Sequence, residues 1–268
     1  MPLRLRFIAV AITCALASPL AAQEASLTDD GSAANDAGQL SKPAGPPPVP
    51  EHTGIKATLK DLFTDVKHLP SMQNLFWIGV GSGGALAVHP ADNRVNASLT
   101  DTSWGHKTFV AGAILGQSPT LLGAATTIYV VGRSKGNPKL SHMGSDLLQS
   151  VAIAEGMTQA LKFTVRRERP DGSGANSFPS GHAADTFVFA TAIERHFGWK
   201  GAVPAYAFAS YVAASRLHDN VHYVSDVVFG AAVGIIAGRT VTRPGHGIPF
   251  AIAPTPGGAA IVFVRTSE

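Results

Sequence analysis

The chain has 268 residues, 45% of them apolar and 15% charged, which is drier than an average soluble domain and far from the composition of a disordered one. Its 21 Lys and Arg nearly balance 18 Asp and Glu, so the basic excess of a nucleic-acid-binding domain is missing and no nucleic-acid partner is expected. Setting aside the three bases and five acids of residues 1–54 leaves 18 against 13, a mild positive balance that suits an anionic substrate.

Residues 1–22 read as an export signal. Arg4 and Arg6 supply the positive start, residues 7–16 the apolar stretch and Pro19-Leu20-Ala21-Ala22 the small-residue end, with cleavage expected near Ala22. The apolar stretch is shorter than the roughly 20 residues that a membrane span needs. Cys14, the only cysteine, lies inside it, so the mature protein is expected to hold no disulfide, no cysteine nucleophile and no thiolate metal site. Residues 23–54, rich in Ala, Ser, Asp, Gly and Pro, bury too little apolar surface to fold and are read as a tether.

Residues 55–243 are expected to form one helical domain. Apolar stretches of helical character run over 57–66, 72–89, 106–132, 143–167, 180–196 and 202–240, rich in Ala and Gly and without period-two alternation. The polar segment 216–222 divides the last into two helices, and Ser118-Pro119, read as an N-cap and first helical residue, divides 106–132. The fold class is therefore all-α. After Arg243-Pro244-Gly245, segments 249–253 and 259–264 flank Pro254-Thr255-Pro256-Gly257-Gly258, which predicts a small β-hairpin in the extension 244–268.

Three blocks carry chemistry. In the first, Lys162 and Arg169 are seven residues apart, nearly two helical turns, so both cations are expected on one side of a helix that ends before Pro170, with Arg166 in the same stripe. In the second, Ser177-Phe178-Pro179-Ser180-Gly181-His182 describes a turn into a helix N-terminus, where free N–H groups and the dipole favour an anion. Ser180 adds a hydroxyl and His182 a titratable proton. In the third, Ser215-Arg216 precedes His222 and Asp226; at a spacing of four on a helix, the carboxylate would accept the imidazole Nδ1 proton and leave Nε2 free as a nucleophile. His182, His218, Asp219, His222 and Asp226 include possible metal ligands, but no pair has a recognised zinc spacing and the nearby cations would repel a metal; none is expected.

Together, Lys-x6-Arg-Pro, Pro-Ser-Gly-His and Ser-Arg-x5-His-x3-Asp resemble the three-part signature of the type 2 phosphatidic acid phosphatase (PAP2) superfamily, which includes bacterial acid phosphatases and vanadium haloperoxidases. The motifs cover residues 162–226, and only eight residues, 171–178, separate the first two blocks. The resemblance implies a helical bundle and a cofactor-free, metal-independent phosphoryl transfer through a phosphohistidine. His222 would attack phosphorus, Asp226 would hold its tautomer, and His182 would protonate the leaving oxygen and then activate water. Lys162, Arg169, Arg216, Ser180 and Gly181 would hold the phosphoryl oxygens.

The expected function is that of an exported phosphatase acting on a phosphorylated small molecule or lipid. Alternatives are a vanadium-dependent haloperoxidase-like enzyme, with vanadate on His222, and an integral membrane lipid-phosphate phosphatase. The polar residues Asp146, Gln149, Glu155 and Gln159 within one helix, and the break at Ser118-Pro119, favour a soluble or peripherally membrane-bound periplasmic protein over a spanning one.

Overall fold

The computed structural model describes residues 54–100 and 103–242, with the backbone of 250–255 and 258–263. The export signal and nearly all of the tether lie outside the described residues. Among the described residues, nine α-helices follow in order: α1 (Ile55–Lys67), α2 (Met72–Val88), α3 (Asp92–Leu99), α4 (Ser103–Leu115), α5 (Ser118–Ser134), α6 (Pro138–Val165), α7 (Gly181–Phe197), α8 (Trp199–His218) and α9 (Val224–Val241). Helices α4 and α5 are separate, with a bend of 59° between them. The cap of α5 is Gln117, not Ser118, because the Ser118 hydroxyl turns inward to the acids Glu155 and Asp185. Helix α3 has no counterpart in the sequence reading: its eight residues, DNRVNASL, carry too few apolar positions to announce a helix.

Helices α6 to α9 pack on one another, α2 lies on α9, α5 on α6 and α4 on α8. The core is small and dry: Leu147 and Val151 of α6, Ala184 and Val188 of α7, and Val233 and Ala237 of α9 are essentially without solvent contact. Full burial of each Val or Leu side chain contributes about 1.5–3 kcal/mol. The approach of α9 to α7 depends on glycine, since a Cβ on Gly230 would lie 2.5 Å from the Ser180 carbonyl oxygen and one on Gly234 2.2 Å from that of Ala184. These residues are four apart and open one face of α9 to the backbone of α7.

The polar residues of α6 divide by depth. Asp146 and Gln149 are buried in the bundle, Glu155 is half-buried and Gln159 is exposed. The predicted C-terminal β-hairpin is not supported as part of this fold. The backbone of β1 (Phe250–Thr255) runs antiparallel to β2 (Gly258–Phe263), and among the described residues each strand packs substantially on the other and not on a helix.

Candidate active site

Consecutive helices from α6 to α9 alternate in direction, so the end of α6, the start of α7, the end of α8 and the start of α9 meet at one end of the bundle. That is where the three sequence blocks come together. Lys162 is in the last turn of α6, and a Cβ placed on Gly181 would lie 3.9 Å from its Nζ. Helix α6 stops at Val165, capped by Arg166 in the left-handed region at φ 50°. Arg169 therefore sits in the 166–180 loop, not on the helical stripe that its spacing from Lys162 suggested. Its N–H donates to the Gly174 carbonyl at 2.9 Å, and its Nε is buried without a hydrogen-bond partner.

Ser180 is fully buried and caps α7, its hydroxyl accepting from the Ala183 N–H at 3.4 Å. Its own N–H donates to the Asp226 carbonyl at 3.0 Å, which fixes the turn against α9. By helix geometry, the N–H groups of Gly181 and His182 then have no intrahelical acceptor. His182 reaches α4, where its Nε2 lies 3.3 Å from the Ala113 carbonyl, and it lies 3.5 Å from Arg216 Nη1. Arg216 is buried at the end of α8 and ion-paired to Asp219.

His222 is buried but does not lie on a helix: Tyr223 is the N-cap of α9 and Asp226 belongs to its first turn. The expected helical i,i+4 geometry is thus replaced by a loop-to-helix contact, with His222 Nδ1 3.8 Å from Asp226 Oδ2. That is an electrostatic contact, longer than a hydrogen bond. Asp226 is occupied elsewhere as well, accepting from the Ser177 hydroxyl at 2.5 Å, the Tyr223 N–H at 2.9 Å and Arg167 Nη1 at 2.6 Å.

The charges follow from this crowding. Burial, then the charge of Arg169, lowers the Lys162 ammonium pKa, and the same two causes bring Arg216 down to about 10. Burial, with Arg216, His222 and Lys162 against it, lowers His182 to about 4 despite the contact with Ala113. His222 is also lowered, chiefly by burial. Burial would raise Asp226, but His222, the Ser177 hydroxyl, the Tyr223 N–H and Arg167 outweigh it and hold the carboxylate ionised. A concentration of buried cations around an unprotonated imidazole is a site prepared for an anion.

Several participants were not legible from the motifs. Arg167 lies beside three stronger-looking cations in sequence, yet its guanidinium spans Asp226, the Ser225 hydroxyl at 2.7 Å and Asp92 at 2.8 Å, and stacks on Tyr223. Asp92 reaches it from the start of α3, and Asn96 on the same helix donates to the His222 carbonyl at 3.0 Å. Arg166, by contrast, is exposed beside the site. It lines an open groove of about 540 Å³ with Gln159, Lys162, Phe163, Ala175 and Asn176. His218 is buried on α8, with its ring 5.3 Å from that of Phe109.

Residues 144–245, which contain every motif position from Lys162 to Asp226, match the PAP2 superfamily. Over these residues the chain is similar to the PAP2 superfamily. The chain is 44% identical over 111 residues to lipid A 1-phosphatase of Porphyromonas gingivalis, covering 40% of this chain and 24% of that protein. It is 34% identical over 104 residues to decaprenylphosphoryl-5-phosphoribose phosphatase of Mycobacterium tuberculosis, covering 35% of this chain and 57% of that one. The chain thus spans less than two thirds of either relative. The chain also shares its fold with a transmembrane PAP2 type phosphatidylglycerolphosphate phosphatase from Bacillus subtilis, at a TM-score of 0.50 and 20% identity over 69% of this chain and 92% of that one.

Proposed function

We propose that the protein is a metal-independent phosphatase that removes phosphate from a lipid-linked substrate through a phosphohistidine. The observation that carries this reading is the gathering of Lys162, Arg169 and Arg216 within one another's electrostatic reach, with Lys162 also acting on His222, which is backed by the ionised Asp226. In the first step, His222 Nε2 forms a bond to phosphorus as the bond to the leaving oxygen breaks, and His182 gives its proton to that oxygen. In the second, water attacks the phosphohistidine and yields its proton to His182, which frees phosphate and restores both imidazoles. The cations and the α7 N–H groups balance the charge on the equatorial oxygens, where most of the catalysis of phosphoryl transfer lies.

The substrate class is inferred from the surroundings of Lys162. The groove beside it has the exposed Phe163 as one wall, with exposed Val165 beyond, a surface suited to the apolar part of a lipid phosphate. The similarity to lipid A 1-phosphatase supports the same choice. Phosphate release should be compared across phosphatidic acid, an isoprenyl diphosphate and a soluble nucleotide in mixed micelles. Lipid-linked phosphates should be turned over at least tenfold more efficiently, and equal or better turnover of the nucleotide would overturn the lipid assignment.

The location inferred is the periplasmic side of a membrane, after export by the signal in residues 1–22. Lipid contact is supported by the apolar side chains that α2 exposes, among them Met72, Leu75, Ile78, Val80 and Leu86. Exposed apolar surface of this extent marks an interaction face on a protein otherwise able to cover its core.

A further inference from the structure

The end of the bundle remote from the phosphate site holds a second group of buried ionisable side chains. Three residues converge there: His142 and Asp146, four apart on the first turns of α6, and His196 in the last turn of α7. His142 Nε2 lies 3.3 Å from one oxygen of Asp146, and His196 Nε2 lies 2.9 Å from the other. Each side chain is at least nine-tenths buried, and the imidazole rings meet edge to face with centroids 5.3 Å apart. The ligand atoms of the three all lie within 4.8 Å of one another.

We propose that His142, Asp146 and His196 form a zinc-binding site that clamps the start of α6 to the end of α7. Two imidazoles and one carboxylate are a zinc donor set, and a water in the fourth position completes a tetrahedron. Zn–N and Zn–O distances near 2.0 Å place neighbouring donors of such a tetrahedron about 3.3 Å apart, against the 3.3 and 2.9 Å that separate these nitrogens from the Asp146 oxygens. The two imidazoles meet different oxygens of Asp146, so closing the site on a cation requires side-chain rotations within a group whose ligand atoms already lie within 4.8 Å of one another. Charge points the same way, because Asp146 has the two imidazoles as its ion-pair partners and Asp61 of α1 adds a second negative charge facing His142.

The position separates this site from the reaction. His142 and Lys162 are twenty residues apart on one helix, about 30 Å at 1.5 Å per residue. A metal here is a structural cross-link and takes no part in phosphoryl transfer.

The test uses tag-free full-length protein dialysed against zinc and then against metal-free buffer, with zinc counted by mass spectrometry. One zinc per chain should remain. It should be lost from Asp146→Asn and from His196→Gln and kept by His68→Gln, a change in an exposed histidine elsewhere. Cobalt(II) should give the visible absorption of a four-coordinate site. A strong chelator should lower the Tm of the wild type while leaving its initial phosphatase rate at 25 °C unchanged. Wild-type protein that retains no stoichiometric zinc overturns the proposal, whatever the folding of the variants, as does zinc that survives both Asp146→Asn and His196→Gln. Loss of the phosphatase rate on chelation, restored by a divalent ion, would instead count against the metal-independent reaction, so the two readings fail separately.

Discussion

At the residue scale, chemistry at this site is set by which imidazole carries a proton. Burial lowers the His222 pKa below its ordinary value and so favours the unprotonated ring that a nucleophile requires. Acid-quench trapping with labelled substrate should give an acid-labile phosphoprotein in the wild type and no label in His222→Ala. His182 is needed protonated, yet burial and the charges of Arg216 and Lys162 hold it at about 4. A bound phosphate offsets the charges of Arg216 and Lys162 and raises it. The alkaline limb of kcat/KM, which reports the free enzyme, should therefore fall at lower pH than that of kcat. Profiles with coincident limbs would show that His182 is not the acid. Arg167 acts through Asp226. Removing charge-assisted hydrogen bonds of about 1.5–3 kcal/mol with Arg167→Met should lower kcat about 10- to 100-fold with KM little changed. Arg167→Lys should restore only part of that rate, since an ammonium cannot span Asp226 and Asp92 together. A changed KM with unchanged kcat would place Arg167 in substrate binding instead.

At the scale of elements, the acids behind the pocket join α5, α6 and α7. Ser118 lies within hydrogen-bond distance of Glu155 and 2.6 Å from Asp185 Oδ2. One hydroxyl proton serves one acceptor at a time, so the other short contact needs a protonated carboxyl. Asp185 carries that proton, raised to about 8 first by burial and further by Glu155. The unfolded carboxyl ionises near its ordinary value of 3.8, whereas the folded one keeps its proton, so stability falls as pH rises between the two values. Asp185→Asn keeps the neutral shape without this penalty. It should raise Tm by roughly 5 °C near pH 8 and by much less near pH 5, as followed by thermal unfolding. An equal gain at both pH values would mean that Asp185 is ionised in the folded protein.

At the scale of the whole molecule, the question is how the bundle meets lipid. Among the described residues, α9 is long and apolar enough to cross a membrane, but 67% of its apolar window is buried inside the bundle, as in a core helix. The other candidate is the bent pair Lys107–Leu115 and Ser118–Ser134. The exposed apolar side chains of α2 and those of α4, Val110, Ile114 and Leu115, are instead available for surface contact. A peripherally bound protein should leave the membrane fraction on alkaline carbonate washing. Retention until detergent is added would show that the helices are embedded and that the peripheral reading is wrong.

The sequence by itself determined the helical class, most helix boundaries and the three motif blocks that the fold brings to one end of the bundle. Helix boundaries are local, written in Ser180 as a cap and in the break at Ser118-Pro119, and the three motif blocks are contiguous strings. What it could not determine was any relation that depends on where one element meets another. Lys162 and Arg169 looked like one helical stripe until the left-handed Arg166 ended α6 early. His222 and Asp226 looked like helical neighbours until Tyr223 proved to be the cap. Arg167, Asp92 and the His142–Asp146–His196 group bring together residues 50 to 75 positions apart. No periodicity encodes such contacts, because they exist only once α3, α6, α7 and α9 are packed. Gly230 and Gly234 show the same limit: in sequence they resemble weak points of a helix, and only the close approach of α7 gives them a purpose.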